Sequence, residues 1–372
     1  MAKSAKDTKR SGTSASLKKA PLKVNLALQG GGAHGAFTWG VLDRLLEEED
    51  IEIDGISGTS AGAMNGAVLI DGYVEGGRQR AKDQLAEFWL EVSQLGAIFN
   101  PAPSTPFQGY MPTGIGLDWL VGFNPVDMLS RTFSPYELNP LNINPLRVVL
   151  ERVLHIKNLH EPSKLFVAAT NVETGQPRIF KCSEITIDVL LASACIPFVF
   201  QAVEIDGVPY WDGGYMGNPA IWPLIYNTSC TDMLLVQINP LMRAGTPRSA
   251  IDIINRLNEI SFNSSLIAEM RAINFVKKLI HTGKLSSTEY HDVHMHMVSP
   301  PDHVHEMNAS TKMNADWHFI QMLRDVGRQQ MEDWLRTHKS SLGKRSTLDI
   351  EKHFLVKPNR KAAHTSSTLK TQ

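Results

Sequence analysis

The chain has 372 residues, a formal net charge of −1 and 42% hydrophobic residues. That apolar fraction supplies enough surface for a buried core, so disorder over most of the chain is excluded. A transmembrane protein is not expected, because the most apolar stretch, residues 185–200, contains Asp188 and Pro197 and is shorter than the roughly 20 residues that a spanning helix needs.

The cysteines and the first residues predict the cellular compartment. Cys182, Cys195 and Cys230 are odd in number and far apart. They match neither a disulfide framework nor the spacing of zinc ligands, so we expect a reducing compartment and no metal. Residues 1–20 lack the apolar run of a secretory signal. Together these features predict a cytoplasmic protein.

Charge is distributed unevenly along the chain. Residues 1–20 and residues 341–372 each carry a net charge of +5, which leaves −11 on the body between them. Both ends are expected to be disordered, solvated tails. Basic tails on an acidic body can also contact an anionic membrane, where each basic residue contributes roughly 1 kcal/mol near the surface.

Two strand–turn–helix units follow the first tail. Residues 22–29 form a short apolar β run that leads into a glycine-rich turn at 30–35 and a helical pattern. A second strand at 51–57 leads into the turn 58–62 and an apolar helix. This repetition is typical of a parallel sheet with crossover helices.

An amphipathic helix and a long irregular segment come next. Residues 77–94 have apolar side chains at i, i+3, i+4 and i+7, which predicts a helix with one buried face. Residues 100–145 contain eight prolines with scattered glycines and aromatic residues. A connection of that length is expected to be a lid or a binding loop.

The elements that follow alternate between strands and short helices. We predict strands at 164–171 and 178–181, a buried helix at 185–194, a hairpin over 202–210 and a buried strand at 233–238.

Past residue 240 the pattern becomes mostly helical. Long helical patterns cover residues 247–282 and 313–338, with a short strand at 293–298 between them. We therefore expect four parts along the chain: a disordered basic tail (1–20), an α/β catalytic domain (21–240), a mostly helical C-terminal region (241–340) and a basic, disordered tail (341–372).

Ser60 is the candidate nucleophile. It lies in the sequence Gly58-x-Ser60-x-Gly62, directly after a strand and at the start of a helix, which is the form of a nucleophile elbow. A sharp strand-to-helix turn exposes the hydroxyl at the positive end of the helix, and glycines on both sides avoid clashes. A bare motif of this kind is weak evidence, but its structural context strengthens it.

The glycine run that begins at Gly30 can supply an oxyanion hole. Acyl transfer develops a negative oxygen, and each preorganised donor contributes roughly 3–4 kcal/mol. Gly30-x-Gly32-x-x-Gly35 also has the spacing of a dinucleotide-binding loop, with Asp50 further on. That alternative is disfavoured, because its acidic residue belongs at the end of the second strand and Asp50 precedes that strand.

Asp212 is the candidate base. It follows a predicted strand and is itself followed by Gly213 and Gly214, which allow a close backbone approach. The alternative is a plain turn aspartate, since Asp-Gly turns are common. A catalytic Asp212 needs a partly desolvated setting, because an ordinary aspartate with a pKa near 3.9 is a poor base.

These motifs together resemble the patatin-like phospholipase family. The matching pieces are Gly30–Gly35, Gly58–Gly62 and Asp212–Gly214, in that family's order. The stretch 192–197 and the pair Asn218-Pro219 also resemble it. The resemblance covers residues 22–240 and leaves the C-terminal third without a function.

The resemblance implies a three-layer α/β/α fold, to which the helical pattern past residue 240 adds a C-terminal extension, and it implies hydrolysis of lipid acyl esters without a cofactor. The substrate would be a phospholipid, a lysophospholipid or another carboxylic ester, and residues 100–145 are candidates for acyl-chain contacts. By position, Ser60 would be the nucleophile of a Ser–Asp dyad and Asp212 its base. The implied oxyanion hole consists of Gly30, Gly31, Gly32 and Ala33, and the supporting motif glycines are Gly35, Gly58, Gly62, Gly213 and Gly214. The sequence departs at His34, where many members carry Arg or Lys.

Two other functions remain open. Five histidines lie between 291 and 305, and a Ser–Asp–His esterase would use one of them as its base. His294 and His296 share one face of a predicted strand and could instead bind a metal or simply be solvated. A catalytically silent lipid-binding or partner-binding protein is the other alternative. Phosphate loops and basic–aromatic arrays are absent from the sequence, so no nucleic-acid partner is expected, and the oligomeric state is not predicted.

Overall fold

The structure is a computed structural model that describes residues 20–99, 133–160, 164–243, 245–286, 289–305, 307 and 309–355. Eight strands of the described chain form one sheet. They are β1 (Leu22–Leu28), β2 (Ile51–Gly58), β3 (Leu165–Asn171), β4 (Pro177–Lys181), β5 (Val203–Ile205), β6 (Val208–Asp212), β7 (Asp232–Val236) and β8 (His294–Val298).

The strand order across the sheet is β5-β6-β3-β2-β1-β7-β8, with β4 paired to β3. Strands β3, β2, β1, β7 and β8 run parallel, and β4 and β6 pair antiparallel with β3. The hairpin of β5 and β6 forms one edge. The parallel half matches the sheet with crossover helices that the sequence predicts.

Nine helices of the described chain surround this sheet. They are α1 (Gly35–Leu45), α2 (Ala61–Phe99), α3 (Pro135–Leu138), α4 (Pro145–Val153), α5 (Ile187–Ser193), α6 (Trp222–Asn227), α7 (Ala250–His281), α8 (Asp302–His305) and α9 (Trp317–His338). Short 3-10 turns connect several of them, including Ala309–Met313.

Alternate residues of the central strands face two separate cores. Leu26 and Leu28 of β1 pack in a core with α1, α2, α4, α5 and α9. Ala27 between them packs in a second core with α6 and α7. Since successive side chains of a strand point to opposite faces, one helical layer covers each face of the sheet. The three-layer α/β/α architecture is therefore confirmed.

Helix α2 joins the two helices that the sequence predicts separately. It runs from Ala61 to Phe99, but its backbone leaves helical geometry at Gly76 and at Gly77, which has a φ of 68°. A left-handed φ is accessible to glycine at little cost. The kink lets the second half of α2 fold back beside the first, where Gln84 donates to Asp71 at 2.6 Å and Trp89 donates to Asn65 at 3.1 Å.

The prediction of a disordered tail from residue 341 onwards is wrong for residues 341–355. In the structure Leu342, Leu348, Ile350 and Phe354 are buried. The backbone N–H of Leu348 donates to the carbonyl of Met295 on β8 at 3.0 Å. Apolar residues spaced among basic ones pack against the edge strand β8. The net charge of the segment gives no indication of this packing.

Several sequence expectations concern residues outside the described ranges. They include most of the predicted binding loop at 100–145, of which residues 100–132 are not described, and the ends at 1–19 and 356–372. The boundary at residue 240 stays a prediction. Within the described ranges, no helix combines the length and the apolar character that crossing a bilayer requires.

Candidate active site

The motif residues meet at the carboxyl edge of the sheet. Leu28 at the end of β1 is in register with Gly58 at the end of β2, so the turns that follow these strands are neighbours. On the other side of β2, Gly58 is in register with Val167 of β3. Asp212, the last residue of β6, is in register with Ala169 of β3. Strand pairing thus brings Asp212 to the same edge as the turn that contains Ser60.

Ser60 is held in a strained turn between β2 and α2. Its φ is 52°, a left-handed conformation that costs a residue with a side chain roughly 1–2 kcal/mol. The N–H of Ser60 donates to Oγ of Ser193 at 2.9 Å, and its carbonyl accepts from the N–H of Met64 at 3.1 Å. Ser60 is 9% exposed. The turn therefore presents the hydroxyl at the start of α2, within a largely buried site.

Asp212 is buried beside this hydroxyl. Its Oδ1 accepts the N–H of Gly214 at 2.7 Å, and the hydroxyl of Ser60 is near enough to favour the charged carboxylate. Burial raises the pKa of Asp212 to about 7, and the N–H of Gly214 and the nearby hydroxyl of Ser60 only partly oppose that rise. A carboxyl group with a pKa near neutrality is matched to proton transfer at physiological pH.

Gly30 lies directly against Ser60. A Cβ on Gly30 would be 2.7 Å from Cβ of Ser60 and 2.7 Å from the carbonyl oxygen of Thr59, so only glycine fits. The N–H of Gly30 donates to Oδ1 of Asn218 at 2.6 Å. This corrects one expectation, because an amide already bound to a buried side chain is not available to a substrate oxygen. Gly30 contributes close approach rather than a donor.

The next three residues carry the remaining candidate donors. Gly31 precedes a 3-10 turn that contains Gly32 and the buried Ala33. Gly32 has a φ of 58°, and a Cβ there would overlap the carbonyl oxygen of Lys312. We refer to Gly30–Ala33 as the glycine loop. The remaining motif glycines sit where a Cβ would lie within 3.0 Å of another part of the site: Gly35, Gly58, Gly62, Gly213 and Gly214.

His34 does not supply a cation beside the glycine loop. It is 6% exposed, and a hydrogen bond of 2.7 Å joins its Nε2 to Oγ1 of Thr311. Burial, together with the nearby charges of Lys312, Arg243 and His305, lowers the pKa of His34 to about 3. The imidazole is therefore neutral at neutral pH, and any positive charge near the loop must come from elsewhere.

A buried amide network that the sequence analysis missed supports the glycine loop. Oε1 of Gln29 accepts the N–H groups of Ile238 and Asn239, both at 2.7 Å. Nε2 of Gln29 donates to the carbonyl of Asn218 at 3.3 Å and to Oδ1 of Asn263 at 3.1 Å. A polar residue at the end of an otherwise apolar strand is the only local signal for this network.

The strand histidines, His294 and His296, lie on β8, which is the last strand on the side of the sheet opposite the β5–β6 hairpin. His296 is fully buried, with Nε2 at 2.9 Å from Oδ1 of Asp232 and Nδ1 at 2.9 Å from Oγ1 of Thr347. Asp232 is the first residue of β7 and pairs with His294, the first residue of β8. Among the described residues, no hydrogen bond joins Asp212 to a histidine.

One cluster elsewhere has the residue types of a metal site. Asp71, Glu75 and His155 bring potential ligand atoms within 4.8 Å of one another. Both oxygens of Asp71 already accept protein hydrogen bonds, from Gln84, from Asn158 and from the backbone of His155. The cluster lies about three helical turns along α2 from Ser60 and does not touch the catalytic candidates.

Similar proteins include one family and several solved structures. The family model described as Patatin-like phospholipase matches residues 26–225 of the chain. VipD from Legionella pneumophila is similar at 14% identity and a TM-score of 0.38, covering 91% of this chain and 73% of that one. The ExoU–SpcU complex from the type III secretion system of Pseudomonas aeruginosa is similar at 16% identity and a TM-score of 0.37, covering 86% and 53%. No curated protein matches the chain significantly.

Proposed function

We propose that this protein, which belongs to the patatin-like phospholipase family, hydrolyses carboxylic esters of lipids through a Ser60–Asp212 dyad. Family membership makes it a lipid hydrolase. The observation that carries the finer proposal is the buried carboxyl of Asp212 beside the hydroxyl of Ser60, which lies in a left-handed turn. A nucleophile in a strained turn and a base with a raised pKa are the two groups that acyl transfer needs.

The reaction would proceed in two steps. Asp212 accepts the proton of Ser60 as Oγ attacks the ester carbonyl carbon, and collapse of the tetrahedral intermediate breaks the bond to the alcohol, which leaves with that proton. Water then attacks the acyl–Ser60 ester, Asp212 accepts its proton, and the fatty acid departs as Ser60 regains a proton. Backbone N–H groups of Gly31, Gly32 and Ala33 would stabilise the negative oxygen in both steps.

A phospholipid or a lysophospholipid is the proposed substrate. We expect a fluorophosphonate probe to modify Ser60 of the full-length protein, with the site located by peptide mass spectrometry. We also expect vesicles of a mixed-chain phosphatidylcholine to yield free fatty acid and lysolipid, which the two chain lengths assign to one acyl position. Absence of both labelling and fatty-acid release would contradict the proposal and favour a silent binding protein.

We further propose a cytoplasmic protein that contacts anionic membranes through its two basic ends. Residues 1–19 carry a net charge of +5 and residues 356–372 carry +4. At roughly 1 kcal/mol for each basic residue near the surface, the two ends provide the larger part of such an attraction.

Deleting both ends tests this contact. Because residues 342–355 pack against the sheet, the deletion should stop at 356 and should spare them. We expect the truncated protein to sediment with phosphatidylserine vesicles at least about tenfold less than the full chain at low salt. Neutral phosphatidylcholine vesicles serve as the control. Equal sedimentation of both proteins would refute the contact.

A further inference from the structure

The 3-10 turn Ala309–Met313 lies against the glycine loop, although it falls outside the range that the family model matches. The carbonyl oxygen of Lys312 occupies the space that a Cβ on Gly32 would need. Thr311 of the same turn shares the hydrogen bond with His34. A segment from the C-terminal part of the chain thus covers the loop that carries the candidate oxyanion donors.

A chain of two hydrogen bonds leads from Lys312 to the backbone of the glycine loop. Nζ of Lys312 donates to Oδ1 of Asn239 at 2.6 Å. Nδ2 of Asn239 donates to the carbonyl oxygen of Gly30 at 2.7 Å. Asn239 is fully buried, and its own N–H is held by Gln29 at 2.7 Å. The amide of Asn239 therefore has little freedom to rotate.

We propose that Lys312 is a positioning residue that acts through Asn239 on the peptide bond between Gly30 and Gly31. In a trans peptide, the carbonyl and the N–H lie in one rigid plane and point in opposite directions. A fixed Gly30 carbonyl therefore fixes the direction of the Gly31 N–H, which is a candidate oxyanion donor. This inference rests on the proposed function, because it assigns a task to that donor.

The charge of Lys312 strengthens this chain. A charged donor makes a shorter and stronger hydrogen bond than a neutral one, and successive bonds polarise each other. A Gly30 carbonyl that accepts from a polarised amide makes the N–H of the same peptide plane a better donor. The effect is largest when negative charge develops on the substrate oxygen, so it should act on kcat more than on KM.

The groups around Lys312 determine when it is charged. Glu259 of α7, which forms a 2.7 Å ion pair with Arg243, and the neutral His34 are both near Lys312. Burial lowers the pKa of Lys312 to about 8; Glu259 opposes this shift and Arg243 adds to it. His305 is near His34, and burial lowers its pKa as well. Lys312 is thus charged at neutral pH and loses its proton as the pH rises through about 8.

The test compares Lys312→Met and Lys312→Arg with the wild-type protein on a soluble ester. We expect Lys312→Met to lower kcat at least about tenfold with KM changed less than twofold. Lys312→Arg keeps the charge and should recover part of that loss. The kcat of the wild-type protein should fall above about pH 8, where Lys312 loses its proton. The kcat of the Arg variant should fall only at higher pH, and that of the Met variant should show no such fall.

Lys277→Met is the matched control. The Lys277 side chain is 14% exposed and donates to Asp292 and to the carbonyl of Val293, next to the start of β8 at the far edge of the sheet. We expect the Lys277→Met variant to have a lower melting temperature than wild type and a kcat within about twofold of wild type. A Lys312→Met protein with wild-type kcat, or with a loss no larger than that of the control, would overturn the inference.

Hydrogen exchange separates this inference from the proposed function, because it needs no turnover. In Lys312→Met we expect amide exchange in a peptide spanning residues 29–34 to accelerate at least about tenfold, while Lys277→Met leaves it unchanged. Unchanged exchange in Lys312→Met would overturn the positioning role even if the wild-type protein hydrolysed esters. Accelerated exchange in a protein without esterase activity would support the positioning role and count only against the hydrolase proposal.

Discussion

Ser60→Ala should lower the kcat for ester hydrolysis by at least about 10⁴-fold, because it removes the hydroxyl that forms the acyl-enzyme in the proposed mechanism. Ser60 has a left-handed φ of 52° and places its hydroxyl near Asp212, whereas the hydroxyl of Thr59 in the same turn donates to the carbonyl of Gly217. The loss should appear on every ester tested, whatever its chain length. It is measured with short-chain and long-chain chromogenic esters under saturating conditions.

Ser60→Gly adds a readout that does not depend on turnover. Glycine adopts a left-handed φ without the clash that a Cβ causes, although it also gains entropy in the unfolded chain. We therefore expect the Gly variant to exceed the Ala variant in free energy of unfolding by about 1 kcal/mol, with both proteins inactive. Urea denaturation measures this difference. Equal stabilities would mean that the turn at Ser60 is relaxed.

Ser341→Ala is the matched control for the serine substitution. Ser341 is 5% exposed, so it is about as buried as Ser60, but it lies in the turn Lys339–Ser341 near the start of β2, where Lys339 pairs with Asp50. Its alanine variant should keep kcat within about twofold of wild type. If Ser60→Ala also retained most of its activity, the dyad would be wrong and the hydrolysis would have to be assigned to another nucleophile.

The parts of the site that local sequence could predict are those built by one strand and its next turn. Apolar runs with glycine turns predict β1 and β2, and parallel pairing of neighbouring units then places Gly30 near Ser60. The position of Asp212 is less local. It depends on β6 pairing antiparallel with β3, which short-range periodicity does not encode; the family resemblance supplied it.

The parts that sequence reasoning missed depend on long-range contacts. Lys312 contacts Asn239 and the space beside Gly32. Its local sequence indicates only that a helix begins after it. The commitment of the Gly30 amide to Asn218 is equally hidden, since both are loop residues far apart in sequence. Residues 341–355 show a different failure: net charge suggested disorder, while a few well-spaced apolar residues determine the packing.

Asp212→Asn should lower kcat at least about 10³-fold while it stabilises the folded protein at alkaline pH. Asparagine can still accept the N–H of Gly214, but it cannot take a proton from Ser60. In the wild-type protein kcat/KM should rise with pH through about 7 as Asp212 becomes ionised. The variant should lack that limb, which a pH profile from 5 to 9 measures.

The stability effect follows from the direction of the shift. The folded pKa of about 7 lies above the unfolded value of 3.8, so the folded state binds more protons between these pH values. Folded stability therefore falls as the pH rises through this window, and the cost is complete above about 7. Asparagine avoids the buried charge, so we expect Asp212→Asn to gain roughly 2–4 kcal/mol over wild type at pH 8 and much less at pH 5.

Glu269→Gln separates this stability effect from the chemistry. Burial raises the pKa of Glu269 to about 7 as well, and its carboxylate accepts the N–H groups of Ile221 and Trp222 rather than the hydroxyl of Ser60. The Gln variant should gain stability at pH 8 in the same direction but keep the rise of kcat/KM with pH.

His305→Gln tests an alternative base, because His305 is the histidine of the 291–305 cluster that lies near His34 beside the glycine loop. Full activity in Asp212→Asn together with a large loss in His305→Gln would replace the dyad with a histidine-dependent esterase. Removing the group that takes the proton from Ser60 must abolish the rise of kcat/KM with pH, and removing any other group must leave that rise in place.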